Sequence, residues 1–153
     1  MRISIGSDHR GFNVKSKLVH LVTRLGHEVV DEGTDSLESV DYPDIASAVS
    51  RKVSRGEVDR GILVCGTGIG MSITANKFPD VRAATCYDDL TAEISRRHND
   101  VNVLCLSGDM VSERPIDNLV QIWLDTEFEG GRHARRLQKI SDLEEKMGSG
   151  LDL

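Results

Sequence analysis

Along this chain, short runs of β-branched and apolar residues alternate with stretches in which apolar residues recur every three or four positions. Runs of the first kind suit strands, and stretches of the second kind suit amphipathic helices. Ile3–Ser7 opens as a strand, and Leu18, Leu21, Val22 and Leu25 then mark a helix over roughly residues 11–25 that stops at Gly26. His27–Asp31 reads as a second strand, and a turn-rich stretch runs from Glu32 to Asp44. Pro43 suits the first turn of the next helix, which carries Ile45, Ala46, Val49 and Val53 on one face. Gly61–Cys65 is continuously apolar, as expected of a strand in a sheet covered on both sides. A glycine-rich turn and a short helix around Ser72–Lys77 follow it. Val81–Cys86 and Val101–Leu106 complete the strands, with helices expected over Asp88–Arg97, Ser112–Asp125 and Arg132–Met147.

This alternation is the signature of a parallel α/β sheet, here with five strands and a C-terminal helix. No repeat and no linker interrupts it, so one domain over residues 1–147 is expected, with a frayed tail over 148–153. Open parallel sheets bind ligands outside the carboxyl ends of their strands. The segments after Ser7, Cys65 and Leu106 are therefore where chemistry is expected.

Composition narrows the function classes. A formal net charge of −6 and 4% aromatic residues argue against a nucleic-acid-binding face. A local group of arginines can still hold a small anion in an acidic chain. No apolar run approaches the ~20 residues of a membrane span, and Met1–Gly6 reads as a strand start, not a cleavable leader. Three cysteines cannot all pair within one chain, which points to reduced thiols and a cytoplasmic protein.

Four segments could carry chemistry. Ser7-Asp8-His9-Arg10-Gly11 brings a carboxylate, an imidazole and a guanidinium to a strand end beside a helix start. Such a group can move protons and bind phosphate, although Asp8 read alone also suits a helix cap. Cys65-Gly66-Thr67-Gly68-Ile69-Gly70 places a thiol directly before alternating glycines. Backbone amides gathered in such a turn point at an anion and favour a thiolate. Cys86 and Cys105 lack this setting and read as packing residues. The turn fits neither the phosphate loop of nucleotide hydrolases nor the dinucleotide fingerprint.

Arg96-Arg97-His98-Asn99-Asp100 ends a helix, where basic residues also simply suit the dipole. In Gly130-Gly131-Arg132-His133-Ala134-Arg135-Arg136, Arg132 and Arg136 are four apart and share a helix face, so both can reach one phosphate. No metal-binding spacing and no serine-hydrolase elbow occurs.

Taken in order, these segments resemble the ribose-5-phosphate isomerase B family, whose relatives include galactose-6-phosphate isomerases. The resemblance rests on Gly6–Gly11, Asp41-Tyr42-Pro43, Cys65–Gly70, Ala75-Asn76-Lys77, Arg97–Asp100 and Glu129–His133, and runs to about Ile140. It implies a Rossmann-like α/β/α sandwich that isomerises a phosphosugar without metal or organic cofactor. It also implies a homodimer or homotetramer with the active site at the subunit interface. By that resemblance Cys65 shuttles the carbon-bound proton, His98 helps open the sugar ring, and Asp8 and Thr67 handle hydroxyl protons. Gly66, Gly68, Ile69 and Gly70 would line the enediolate with their amides, Asn99 would bind nearby, and His9, Arg132 and Arg136 would hold the phosphate. Members without this cysteine carry a carboxylate base at the position of Gly70, so this chain is of the cysteine type. One departure stands out: Asp109 lies where many members carry a phosphate-binding arginine, which leaves Arg114 or another base to compensate, or a different sugar phosphate such as allose or galactose 6-phosphate as substrate. A non-catalytic phosphosugar-binding module is the rival from another class. Cys65 and His98 argue against it, because binding alone needs neither thiolate nor proton shuttle.

Overall fold

The alternating pattern folds into a single sheet whose interior strands are buried on both faces. The computed structural model describes residues 1–110 and 116–149. Its strands are β1 (Arg2–Ser7), β2 (Glu28–Asp31), β3 (Arg60–Cys65), β4 (Ala83–Thr85) and β5 (Val103–Ser107). The helices are α1 (Phe12–Arg24), α2 (Tyr42–Ser54), α3 (Ile69–Ala75), α4 (Asp89–Asn99), α5 (Ile116–Asp125) and α6 (Arg132–Gly148). All pairings are parallel, in the order β2-β1-β3-β5-β4. The parallel sheet and its helices are thus those expected from the sequence.

Side chains alternate across β3 because a strand points successive residues to opposite faces. Ile62 and Val64 join Ile3, Ile5, Leu18, Val22, Leu104, Leu106 and Trp123 in the core under α1, α4 and α5. Leu63 and Cys65 face the other way and pack with Ala46, Val49, Met71, Ala75 and Cys105 under α2 and α3. Two cores on two faces explain why these strands read as unbroken apolar runs. Arg60, at the start of β3, donates to the carbonyls of Trp123 and Leu124 at 2.8 and 3.0 Å, which satisfies groups at the end of α5. Burial pushes its pKa down to about 10.

Several boundaries differ from the sequence expectation, two of them for a plain structural reason. The helix after the glycine turn begins at Ile69, three residues before Ser72, because Gly68 takes a left-handed conformation (φ 80°) that redirects the chain at once. Strand four is confined to Ala83–Thr85, since β5 is its only neighbour and the pairing spans just those residues. The start expected for the helix at Ser112 lies outside the described residues, as do Arg114 and the last four residues of the tail; α6 itself continues to Gly148.

The order places β1 and β3 side by side, with the chain departing from them to opposite sides of the sheet. Such a switch point opens a crevice at the carboxyl ends of the two strands. As a test of the packing, Leu104→Ala should cost about 2–5 kcal/mol, because Leu104 is wholly buried in the interior strand β5. Leu37→Ala, at an exposed position, should cost less than about 0.5 kcal/mol. Urea unfolding of the two variants checks the contrast.

Candidate active site

The crevice between β1 and β3 is lined by Asp8, Arg10, Tyr42, Cys65, Gly66, Thr67, Gly70 and Asp109, around a cavity of about 360 Å³. Asp8 follows β1, and its amide donates to the carbonyl of Val64 at 3.1 Å, which joins the two strand ends. The Asp8 carboxylate accepts from the amides of Arg10 and Gly11 at 2.9 and 3.1 Å. It therefore braces the turn into α1 as a capping residue would, while also lining the crevice.

Cys65 ends β3 and is one of the residues that line this crevice. It is 5% exposed, and Gly68 N–H donates to Sγ at 3.1 Å. That bond exists because Gly68 adopts a positive φ; a Cβ there would also lie 2.9 Å from Thr85 Cγ2. Burial pushes the thiols of Cys86 and Cys105 up. All three cysteines are free; Cys86 and Cys105 lie in the cores, as packing residues should, and Cys65 both packs in the second core and lines the crevice.

The rest of the turn is held by its neighbours. Ser107 Oγ donates to the Gly66 carbonyl at 2.6 Å, Thr85 Oγ1 to the Gly68 carbonyl at 3.3 Å, and Tyr87 Oη to the Thr67 carbonyl at 3.1 Å. Tyr42, at the start of α2, covers Gly70 so closely that a Cβ there would meet its ring at 2.7 Å. Ile69 is exposed beside this turn. His9 sits next to Asp8 and receives the amide of Val40 on Nδ1 at 3.3 Å, so it faces the long loop before α2.

The remaining predicted residues form a second group, elsewhere. Helix α4 starts beyond the carboxyl end of β4 and returns to the amino end of β5, so His98 and Asn99 lie near the sheet's amino edge. Gly61 pairs with Val103 there, whereas Cys65 pairs with Ser107 at the other edge. Four residues of strand, ~13 Å along its axis, separate the two edges. Within one chain His98 cannot reach Cys65.

At the amino edge His98 stacks on His133 with ring centroids 4.2 Å apart and planes 5° from parallel. Glu129 Oε2 lies 3.5 Å from Nε2 of each ring, and its other oxygen pairs with Arg97 at 2.7 Å. Arg97 also pairs with Glu93 at 2.8 Å. The Arg97 hydrogen bond holds the Glu129 carboxyl below its ordinary pKa. Burial, and then the neighbouring His98, lower the pKa of His133. Arg132 Nε approaches His133 Nε2 at 3.4 Å. Arg132 and Arg136 are both exposed, one turn apart on α6.

The ligand atoms of His98, Glu129 and His133 lie within 4.8 Å of one another, a separation that raises the question of a metal. An imidazole binds an ion through a lone pair in its ring plane, and stacked rings share no plane. One ion cannot take both nitrogens in this arrangement.

Sequence reasoning assigned no role to Tyr42, Glu129 or His133, although all three lie inside the motifs that carried the resemblance. Arg10 belongs to the first-turn group that the sequence offers for protons and phosphate, and the structure gives it a partner. It pairs with Asp109 through two bonds, Nε to Oδ1 at 3.2 Å and Nη2 to Oδ2 at 2.5 Å. The base that meets the acid at position 109 is thus Arg10.

Comparison with known proteins agrees with this architecture over nearly the whole chain. Residues 3–140 match the family model described as Ribose/Galactose Isomerase. Ribose-5-phosphate isomerase B of Escherichia coli is 47% identical over 146 residues, covering 95% of this chain and 97% of that protein. The structure of ribose-5-phosphate isomerase B from Clostridium thermocellum superposes with a TM-score of 0.93 at 48% identity, covering 96% of this chain and 99% of that one. That of Mycoplasma genitalium, solved with bound ribulose-5-phosphate, gives 0.91 at 39% identity, covering 95% and 97%. Such identity, over such coverage and with the same fold, leads to one conclusion: the chain belongs to the ribose/galactose isomerase family.

Proposed function

We propose that this chain is an aldose–ketose isomerase that interconverts ribose 5-phosphate and ribulose 5-phosphate, with Cys65 as the base. The observation that carries this reading is the Cys65 sulfur, which receives the Gly68 amide and lines a crevice shared with Asp8 and Thr67. Relatives at 47–48% identity bear the name ribose-5-phosphate isomerase B. The Mycoplasma genitalium relative holds ribulose-5-phosphate.

The reaction moves protons and needs no net oxidant. In the open-chain aldose the Cys65 thiolate takes the proton from C2, the C2–H electron pair forms the C1=C2 double bond, and charge moves to O1. Amides of the turn over Gly66–Gly70 stabilise that oxygen, a contribution of roughly 3–4 kcal/mol per well-placed donor. Asp8 or Thr67 carries a proton from O2 to O1, and the sulfur returns its proton to C1, which leaves the carbonyl at C2. Acid–base groups of this kind typically add ~10²–10⁴-fold each.

His98, Asn99, Arg132 and Arg136 join this chemistry from a second copy of the chain. Two observations support that assembly. The two groups of residues lie at opposite edges of one sheet. Ile69 and Ile73 on α3 and Ile140, Leu143 and Met147 on α6 leave apolar side chains exposed, as a self-association surface requires. In the completed site His98 opens the sugar ring, while His9 with the partner's Arg132 and Arg136 holds the phosphate. The working unit is then a homodimer or a doubled dimer, its catalytic domain spanning residues 1–147. Three free cysteines support a cytoplasmic location, and among the described residues no helix is long and apolar enough to cross a membrane.

The reading is tested by incubating purified protein with ribose 5-phosphate, allose 6-phosphate and galactose 6-phosphate and following ketose formation. Turnover of ribose 5-phosphate with the highest kcat/KM is expected; binding without turnover of any of them would show a non-catalytic phosphosugar module instead. Arg136→Ala should raise KM for the phosphorylated substrate about tenfold or more, the loss expected for a charge-assisted hydrogen bond. An unchanged KM would remove Arg136 from the phosphate site.

A further inference from the structure

The pair formed by Arg10 and Asp109 is built more closely than a surface ion pair needs to be. The main chain under Asp109 is fixed to the glycine turn, because Asp109 N–H donates to the Gly66 carbonyl at 3.2 Å and Gly108 N–H to the Cys65 carbonyl at 2.7 Å. The main chain of Arg10 is fixed from the other side, where its backbone N–H donates to Asp8 Oδ1 at 2.9 Å. The pair then lies directly on Gly66. A Cβ at that glycine would stand 2.9 Å from Asp109 Oδ2 and 3.1 Å from Arg10 Nε, so the close approach depends on having no side chain there. Exposed ion pairs add little to stability, and both partners here keep a large solvent-accessible fraction, 59% for Arg10 and 38% for Asp109.

What the pair does is hold a cation at the mouth of the crevice. A guanidinium has five N–H donors in one plane, and the fork to Asp109 uses only two of them, Nε and one on Nη2. Arg10 is among the residues that line the crevice. Of the crevice-lining residues, Asp8 and Asp109 are acidic and Arg10 is the one base. Without Arg10 this half of the site would present only negative charge to a phosphate dianion. A substrate whose C1 and C2 sit at the Cys65 sulfur, in a residue only 5% exposed, must extend its phosphate, three carbons further on, towards more open parts of the crevice. Arg10 is an exposed residue of that lining.

We infer that Arg10 is a substrate-binding residue that takes the phosphate end of the sugar at the mouth of the Cys65 crevice, with Asp109 as the positioning residue that fixes its guanidinium. This rests on the isomerase reading for the identity of the sugar, but not for the anion. The acid at position 109 thus serves phosphate binding indirectly, by aiming a cation supplied by the first turn.

The test removes the charge and keeps the shape. In the double variant Arg10→Gln/Asp109→Asn, KM for ribose 5-phosphate should rise about 10–100-fold while kcat stays within about threefold, the range expected for losing a hydrogen-bonded charge. Competitive inhibition by inorganic phosphate should weaken in parallel. Asp109→Asn alone leaves the cation present but less well held, and should raise KM by about threefold with kcat unchanged. KM and phosphate inhibition both within twofold of the parent, or a fall in kcat with KM unchanged, would overturn the assignment; an unmoved KM in Asp109→Asn would remove the positioning role. If the parent protein turned over no phosphosugar, the isomerase reading would fail separately. Calorimetric titration of inorganic phosphate into the parent and the double variant would then decide Arg10, with weaker binding by the variant expected and equal binding overturning the inference.

Discussion

Cys65→Ala is expected to lower isomerisation by at least ~10²–10⁴-fold, the contribution typical of a positioned acid–base group, while the protein stays folded and still binds phosphosugar. The sulfur is the crevice-lining atom that receives the Gly68 amide. Removing it takes away the base but leaves the glycine turn, which Ser107, Thr85 and Tyr87 hold from their own elements. Packing loss at this position should be modest, because the side chain is small and borders a cavity. Cys65→Ser separates the two roles, since it restores a polar atom of similar size but not a thiolate. Ketose formation and a thermal melt on both variants check the expectation. Turnover near the parent rate by a folded Cys65→Ala protein would sink the proposed base.

The second large effect is recovery, and it tests assembly directly. Cys65→Ala and His98→Ala should each be nearly inactive alone. When the two are mixed under conditions that let subunits exchange, about a quarter of the parent activity should return. In a two-fold dimer with random pairing, half the dimers are mixed and each has one intact site. The reason is geometric. Within a chain His98 and Cys65 stand at opposite edges of the sheet, so the proposed site would draw its crevice from one copy and its His98 edge from the other. A mixture as inactive as its components, with exchange verified by differently tagged chains, would rule out this division of the site between copies.

A phosphate held by Arg10 on one copy and by Arg132 and Arg136 on the other would bind the two halves of the site to one ligand. Substrate would then favour the associated form, because anything that binds only the assembled state stabilises it.

Much of this was legible before any coordinates. The strands announced themselves because both faces of the central ones are buried, which demands unbroken apolar runs such as Gly61–Cys65. The helices announced themselves by one buried stripe each, as with Leu18, Leu21 and Val22 on α1. Cys65 stood out because a thiol before alternating glycines has a chemical consequence that depends only on local sequence. Local pattern could not show the early start of α3, which hangs on one left-handed residue, nor the brevity of β4, which hangs on having one neighbour. It also passed over Tyr42 and the role of Arg10, whose partners lie far along the chain.

By itself, then, the sequence determined the layers, the two buried faces of the sheet and the candidate thiol, because these follow from periodicity and from chemistry between near neighbours. Only the tertiary structure decided that β1 and β3 lie adjacent, that Arg10 meets Asp109 across 99 positions, and that His98 stands at the far edge of the sheet. Strand order and helix direction place residues in space by contacts that carry no local signature, and the site is made of such contacts.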